Sequence, residues 1–180
     1  MRSPRTATSA LITIICGAYL LNMLSPSLEG NLFLYKFAVE NGQWYRLFTV
    51  GLVHAGLLHL GFNMFALHAL GQPVEQVFGK ARFLIIFFAS LLAGSVASIT
   101  FAAPNQVSVG ASGAVFGLFG AFAIVGRKMG VDVKNIYVIV GLNFAIGFVM
   151  GGVDWHAHLG GLAGGAVTTW LLLKVSKSNY

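Results

Sequence analysis

Long uncharged, apolar stretches alternate along this chain with short clusters of charge. The uncharged runs are residues 6–28, 47–74, 83–126, 135–153 and 155–173, to be compared with the ~20 residues a helix needs to cross a bilayer. The first two and the last two runs each hold one helix. The run 83–126 is too long for a single crossing, and Ala103-Pro104-Asn105-Gln106 breaks it near the middle, because proline and asparagine favour a turn. Six helices are therefore predicted, at approximate spans 8–25, 55–72, 82–102, 112–127, 135–150 and 155–173.

Composition makes lipid the solvent for these helices. Of the 180 residues 57% are hydrophobic and only 9% charged, with a mean hydropathy of +0.80, against about 25% charged in an ordinary soluble domain. A soluble core of this length could not hide so much apolar surface. Disorder and a collagen-like repeat are excluded, since the 23 glycines show no three-residue period. Cys16 is the only cysteine, so there is no internal disulfide or all-cysteine metal cluster. Short loops leave no room for a separate soluble domain. The expected architecture is an all-α membrane protein, residues 1–180 forming one compact bundle of six transmembrane helices.

Charge then orients the bundle. Arg2, Arg5, Lys80, Arg82, Arg127, Lys128, Lys134, Lys174 and Lys177 fall on one side of the six-span topology, and only Lys36 and Arg46 on the other. By the positive-inside rule both termini are expected in the cytoplasm, with the segment between the first two helices outside. The net charge of +6 does not point to nucleic acid, because the basic residues are spread over loop ends rather than gathered in a patch. The first span lacks an Ala-x-Ala-like cleavage site and is read as a retained helix.

The informative residues of such a bundle are the polar ones at membrane depth, each costly without a partner or a wet cavity. The second helix carries His59, Asn63 and His68, the fourth opens at Ser112, the fifth carries Asn143, and the sixth carries His158 near its outer end. His68 and Asn143 read as a packing or helix-end residue and as interhelical glue. The others share one depth. His59 and Asn63, four apart, stand on one helical face and can offer two donors to one point, as an oxyanion requires. Ser112, in Gly110-Ala111-Ser112-Gly113 after the Pro104 break, opens a helix whose positive end favours developing negative charge. A serine nucleophile needs a base within about 2.6–3.2 Å, so two helices must nearly touch. Gly113 and Gly117 on the fourth helix, and Gly161 and Gly165 on the sixth, form small faces that allow this, and His158 shares the second of them.

Together these residues resemble the rhomboid family of intramembrane serine proteases. The Gly-x-Ser-Gly at Gly110 to Gly113, the His-x-x-x-Asn at His59 to Asn63, and Ala157-His158-Leu159-Gly160-Gly161 occur in the family's order and spans. Gln43-Trp44-Tyr45-Arg46 is similar to the Trp-Arg motif of the family's first outer loop, with Tyr45 inserted. Gly71-x-x-x-Glu75 matches the foot of the second helix, so the likeness runs from about residue 42 to 165. The resemblance implies a Ser-His dyad with Ser112 as nucleophile and His158 as general base and acid. It implies an oxyanion hole of His59, Asn63 and backbone N–H groups near Ser112. Arg46 and Glu75 are read as structural anchors, Asp154 as an N-cap, and His54 and His156 as locally hydrogen-bonded. At Phe116 some family members carry a tyrosine that packs on the catalytic imidazole; here the ring is kept and the hydroxyl lost.

The resemblance also implies transmembrane protein substrates, entering between the second and fifth helices. Phe116, Phe144 and Phe148 are then substrate or gate candidates, with Gly147, Gly151 and Gly152 freeing the outer end of the fifth helix. Ordinary core or lipid-facing aromatics are the alternative. No cofactor or metal is expected: there is no His-Glu-x-x-His and no acidic pair within the spans. The expected location is the bacterial inner (plasma) membrane. Two other readings stand beside the protease, a catalytically inactive rhomboid-like binding protein and a small six-helix transporter.

Overall fold

The computed structural model describes residues 6–103, 105–126, 134, 138–142 and 153–177. Helix dominates them. Helix α1 (Ala7–Leu24) begins at Thr6, whose hydroxyl accepts the Ser9 N–H at 3.0 Å. The chain then makes α2 (Pro26–Leu32), a two-residue strand β1 (Leu34–Tyr35), α3 (Lys36–Glu40), α4 (Arg46–Thr49) and a 3-10 turn (Val50–Leu52) before the long helix α5 (Leu57–Phe101). Strand β2 (Val107–Ser108) leads into α6 (Ser112–Val125), and α7 (Trp155–Lys177) closes the described chain. Helices α1 and α5 are long and apolar enough to cross a membrane.

Two features depart from the sequence reading. A loop was expected between residues 72 and 82, but α5 stays helical there apart from Gly79, whose φ of +75° suits glycine alone. Tertiary contacts hold that turn in helix: Val74 is fully buried, and the Glu75 carboxylate accepts the Ala7 and Thr8 N–H groups at 2.7 and 2.8 Å and the Thr8 hydroxyl at 2.8 Å. An acidic group thus meets the positive, donor-rich start of α1. The second departure is a small antiparallel sheet in which Leu34 faces Ser108 and Tyr35 faces Val107. Of the fifth expected span, residues 138–142 are helical. Asn143, Phe144, Gly147, Phe148, Gly151 and Gly152 lie outside the described residues.

The core lies where α6 is enclosed by α7 and the second limb of α5. Leu118, Ala121 and Val125 of α6, with Phe83 and Ile86 of α5, are buried almost completely. Lipid-facing chain gains little from apolar burial, so such helices hold together by close packing of small residues. The α6–α7 seam shows it. A Cβ on Gly161 would strike the Gly113 carbonyl, and one on Gly165 the Gly117 carbonyl. On the flanking limb of α5, a Cβ on Gly94 would lie 2.6 Å from the Ala157 carbonyl oxygen.

Gly161→Ala should therefore push α6 and α7 apart. Overpacking of this kind costs about 1–3 kcal/mol, and thermal unfolding in detergent should show a lower midpoint. Gly17→Ala on α1, where an added Cβ meets nothing within 4 Å, should leave the midpoint unchanged or slightly raised. Equal midpoints for both variants would contradict the seam.

Candidate active site

Ser112 is the first residue of α6, and the turn before it is fixed by its own N–H groups. The Gly110 N–H donates to the Val50 carbonyl at 3.0 Å, and the Ala111 N–H to His54 Nε2 at 3.4 Å. Gly110 has a φ of +118°, and a Cβ there would lie 2.8 Å from His59 Cε1. Both backbone and space therefore demand glycine. At this position the Ser112 N–H is one of the first-turn donors left without an intrahelical acceptor.

His158 meets this serine from the first turns of α7, with Nε2 2.9 Å from Ser112 Oγ. The imidazole is buried, and the Phe116 ring stacks on it with centroids 4.1 Å apart and planes 10° from parallel. Phe116 is itself buried, and it forms a wall of the site as well as bracing the imidazole. The oxygen and nitrogen are within the reach that proton transfer needs.

His59 and Asn63 stand one helical turn apart on α5. His59 Nδ1 accepts the Ala55 N–H at 3.4 Å, which leaves Nε2 as the protonated nitrogen of the neutral ring. A Cβ on Gly110 would lie 2.9 Å from that Nε2 and 3.7 Å from Ser112 Oγ, so the imidazole edge and the hydroxyl flank the same glycine. Asn63 Nδ2 donates to the His59 carbonyl at 2.9 Å and has a second N–H to give. His59, Asn63, Ser112, Phe116 and His158 all line one cavity of about 770 Å³.

The remaining expected residues have partners of several kinds. The buried guanidinium of Arg46 donates to Gln43 Oε1 at 2.7 Å and to the Gly30 and Phe33 carbonyls at 3.1 and 2.7 Å. Asp154 Oδ1 accepts the Ala157 N–H at 3.1 Å, the bond of an N-cap. His156 Nδ1 lies 3.7 Å from the same oxygen. His68 Nδ1 is 3.3 Å from Gln72 Nε2 on the exposed side of α5. His54 is not locally bonded as expected: its partner is Ala111, 57 residues away and adjacent to Ser112. That contact joins two loops, so helical spacing gave no signal for it.

Comparison with known proteins identifies the family. The family profile described as Rhomboid domain matches residues 41–175. Rhomboid protease GluP of Bacillus subtilis (strain 168) is 42% identical over 132 residues, covering 71% of this chain and 26% of GluP. Putative rhomboid protease YdcA of the same organism is 35% identical over 154 residues, 81% of this chain and 76% of YdcA. Rhomboid-type serine protease 2 of Emericella nidulans is 32% identical over 129 residues, 68% of this chain and 26% of that protein. The chain thus spans about a quarter of two of these relatives and about three quarters of the third.

His54→Leu should leave the buried Ala111 N–H without an acceptor, at a cost of about 1–3 kcal/mol, and lower the unfolding midpoint in detergent. His54→Gln keeps an acceptor and should recover part of the loss. Indistinguishable midpoints for wild type and His54→Leu would show that this contact does not hold the turn.

Proposed function

The chain belongs to the rhomboid family, and on that premise we propose that it is an intramembrane serine protease cutting the transmembrane segments of other membrane proteins. The observation that carries this reading is the 2.9 Å approach of Ser112 Oγ and His158 Nε2 in a cavity that His59 and Asn63 also line. An inactive binding homologue would have no need of that contact. A solute transporter would have no need of a serine at a helix mouth beside an imidazole.

The chemistry follows from the donors and acceptors present. A substrate helix must first unwind locally, since its carbonyls are engaged in i to i−4 bonds. Ser112 Oγ then attacks the exposed carbonyl carbon as His158 Nε2 takes the hydroxyl proton. The resulting oxyanion is stabilised by His59 Nε2–H, the free N–H of Asn63 and the Ser112 N–H, with the positive end of α6 behind them. His158 returns the proton to the departing amine, leaving an acyl-serine. Water then attacks that ester with His158 as base, the carboxyl product departs, and Ser112 is restored. Phe116, flat on the imidazole, limits its rotation between these two tasks.

In the membrane, six helices enclose this site, with both termini in the cytoplasm and the cavity opening outward in the bacterial plasma membrane. The bias of basic residues supports that orientation. Water must reach Ser112 from the outer face, while the glycine seam between α6 and α7 seals the bundle below. Substrate enters beside the first limb of α5, with Phe144 and Phe148 as the gate residues of residues 135–150.

Ser112→Ala and His158→Ala should each abolish cleavage of a model transmembrane substrate while the unfolding midpoint stays near that of the wild type. Asn63→Ala should slow cleavage by up to about 10²–10³, the usual cost of one oxyanion donor. A serine-reactive fluorophosphonate should label the wild type and not Ser112→Ala. Labelling that survives this substitution, or cleavage by either dyad variant, would reject the assignment.

A further inference from the structure

Ser108 stands four residues before Ser112, and Asp154 four before His158. These two residues are themselves joined: the Ser108 hydroxyl donates to Asp154 Oδ2. Ser108 Oγ also lies 3.0 Å from Ser98 Oγ near the end of α5. The single proton of Ser108 is committed to the carboxylate, so Ser98 must be the donor in that second bond. The donor order is fixed as Ser98 to Ser108 to Asp154. The contact between Ser112 and His158 is thus accompanied by a second side-chain bridge between the same two segments of chain.

Capping alone does not account for this arrangement. One carboxylate oxygen of Asp154 serves the first turn of α7 through Ala157, as a cap requires. The other reaches a strand 46 residues away. Ser98 and Ser108 are 4% and 6% exposed and the Asp154 side chain 10%, so the cluster sits largely out of water, where each polar group must be held by partners. The segment it ties is one that needs tying. Strand β2 is only two residues long, and the glycine at φ +118° lies between it and Ser112.

We propose that Ser98, Ser108 and Asp154 form a positioning chain that sets the approach of the nucleophile to its base. It fixes β2 and the end of α5 to the start of α7. This inference rests on the reading of Ser112 and His158 as the catalytic dyad. The three residues touch no substrate; they act through the two that do. Their arrangement also separates positioning from capping. Serine at 154 still caps a helix but is too short to reach Ser108. Asparagine at 154 caps through its oxygen and offers Ser108 an N–H, after which Ser108 can donate to Ser98, so the chain of bonds is kept with its polarity reversed.

The test uses the full chain in detergent with a transmembrane substrate, measuring kcat, KM and the unfolding midpoint for each variant. Asp154→Ser and Ser108→Ala should each lower kcat about 10- to 100-fold, the scale of a displaced catalytic group. KM should stay within about 2-fold, and the midpoint of Asp154→Ser close to that of the wild type. Asp154→Asn should recover most of kcat, and the double variant Ser108→Ala/Asp154→Ser should be no slower than the slower single. Wild-type kcat in both single variants would overturn the proposal. So would an Asp154→Asn as inactive as His158→Ala, which would make the aspartate a charged partner of the base. A fall in kcat that only tracks the midpoint, with no recovery in Asp154→Asn, would reduce the cluster to a fold element. Ser112→Ala run alongside separates the two levels: if it cleaves, the dyad itself fails, and if it does not, a failure above belongs to the positioning chain alone.

Discussion

Everything at this site depends on how closely α6 and α7 approach. The hydrogen bond of 2.9 Å between side chains of two helices depends on how the two backbones are held, and here they are held close because the side chains between them are removed. Gly161 faces the Gly113 carbonyl, and Gly165 the Gly117 carbonyl, one turn further on. In lipid, apolar burial gives helices little reason to associate, so contact between bare backbones becomes the main attraction available. The same seam therefore supplies cohesion and geometry. His158 lies three residues ahead of Gly161 and Ser112 one ahead of Gly113, so the hydroxyl and the imidazole meet at the end of the seam, where contact gives way to the cavity.

The segment joining α1 to α5 completes the mould around Ser112. The Asn22 amide donates to the Leu52 carbonyl at 3.0 Å, the Thr49 hydroxyl to Leu32 at 2.8 Å, and the Ser95 hydroxyl to Leu47 at 2.8 Å. Each closes a backbone acceptor that a loop at this depth would otherwise leave unpaired. These bonds tie the segment to α1 and α5. The segment presents the Val50 carbonyl and His54 to the turn that carries Ser112. A loop with fewer such bonds could not hold Ala111 and Gly110 still enough for the adjacent serine to keep one rotamer against His158.

Much of this could be read from the sequence, for a reason particular to membranes. Apolar residues there are nearly silent, so the few polar ones at depth stand out, and Ser112, His158, His59 and Asn63 were picked out on that ground together with the glycines that bring two of them close. What stayed hidden depends on contacts between distant loops. Two-residue strands are too short for an alternating pattern, so the pairing of Leu34 with Ser108 left no periodic trace. Spacing shows only local partners: His54 instead bonds Ala111, 57 residues away, while Asp154 keeps its expected cap at Ala157 and adds Ser108, 46 residues away. The charges Glu75, Lys80 and Arg82 mark the stretch between residues 72 and 82 as a loop, yet burial of Val74 and the bonds of Glu75 keep it helical apart from Gly79.

Glu75 and Arg46 show how a chain with so little charge can bury some of it. A carboxylate or guanidinium drawn out of water needs dense compensation, and each finds it in the unpaired backbone groups at a helix end. Glu75 takes the orphan N–H groups at the start of α1, where the helix dipole is positive. Arg46 gives its protons to the Gly30 and Phe33 carbonyls at the close of α2, where the dipole is negative. In both cases the charge and the helix terminus offset each other's cost. Because a helix end is fixed in space, the bond also fixes whatever bears the charge. Glu75 thereby secures α1 to α5, and Arg46 secures α4 against α2. The two charges thus lock two helix ends, one at the start of α1 and one at the close of α2.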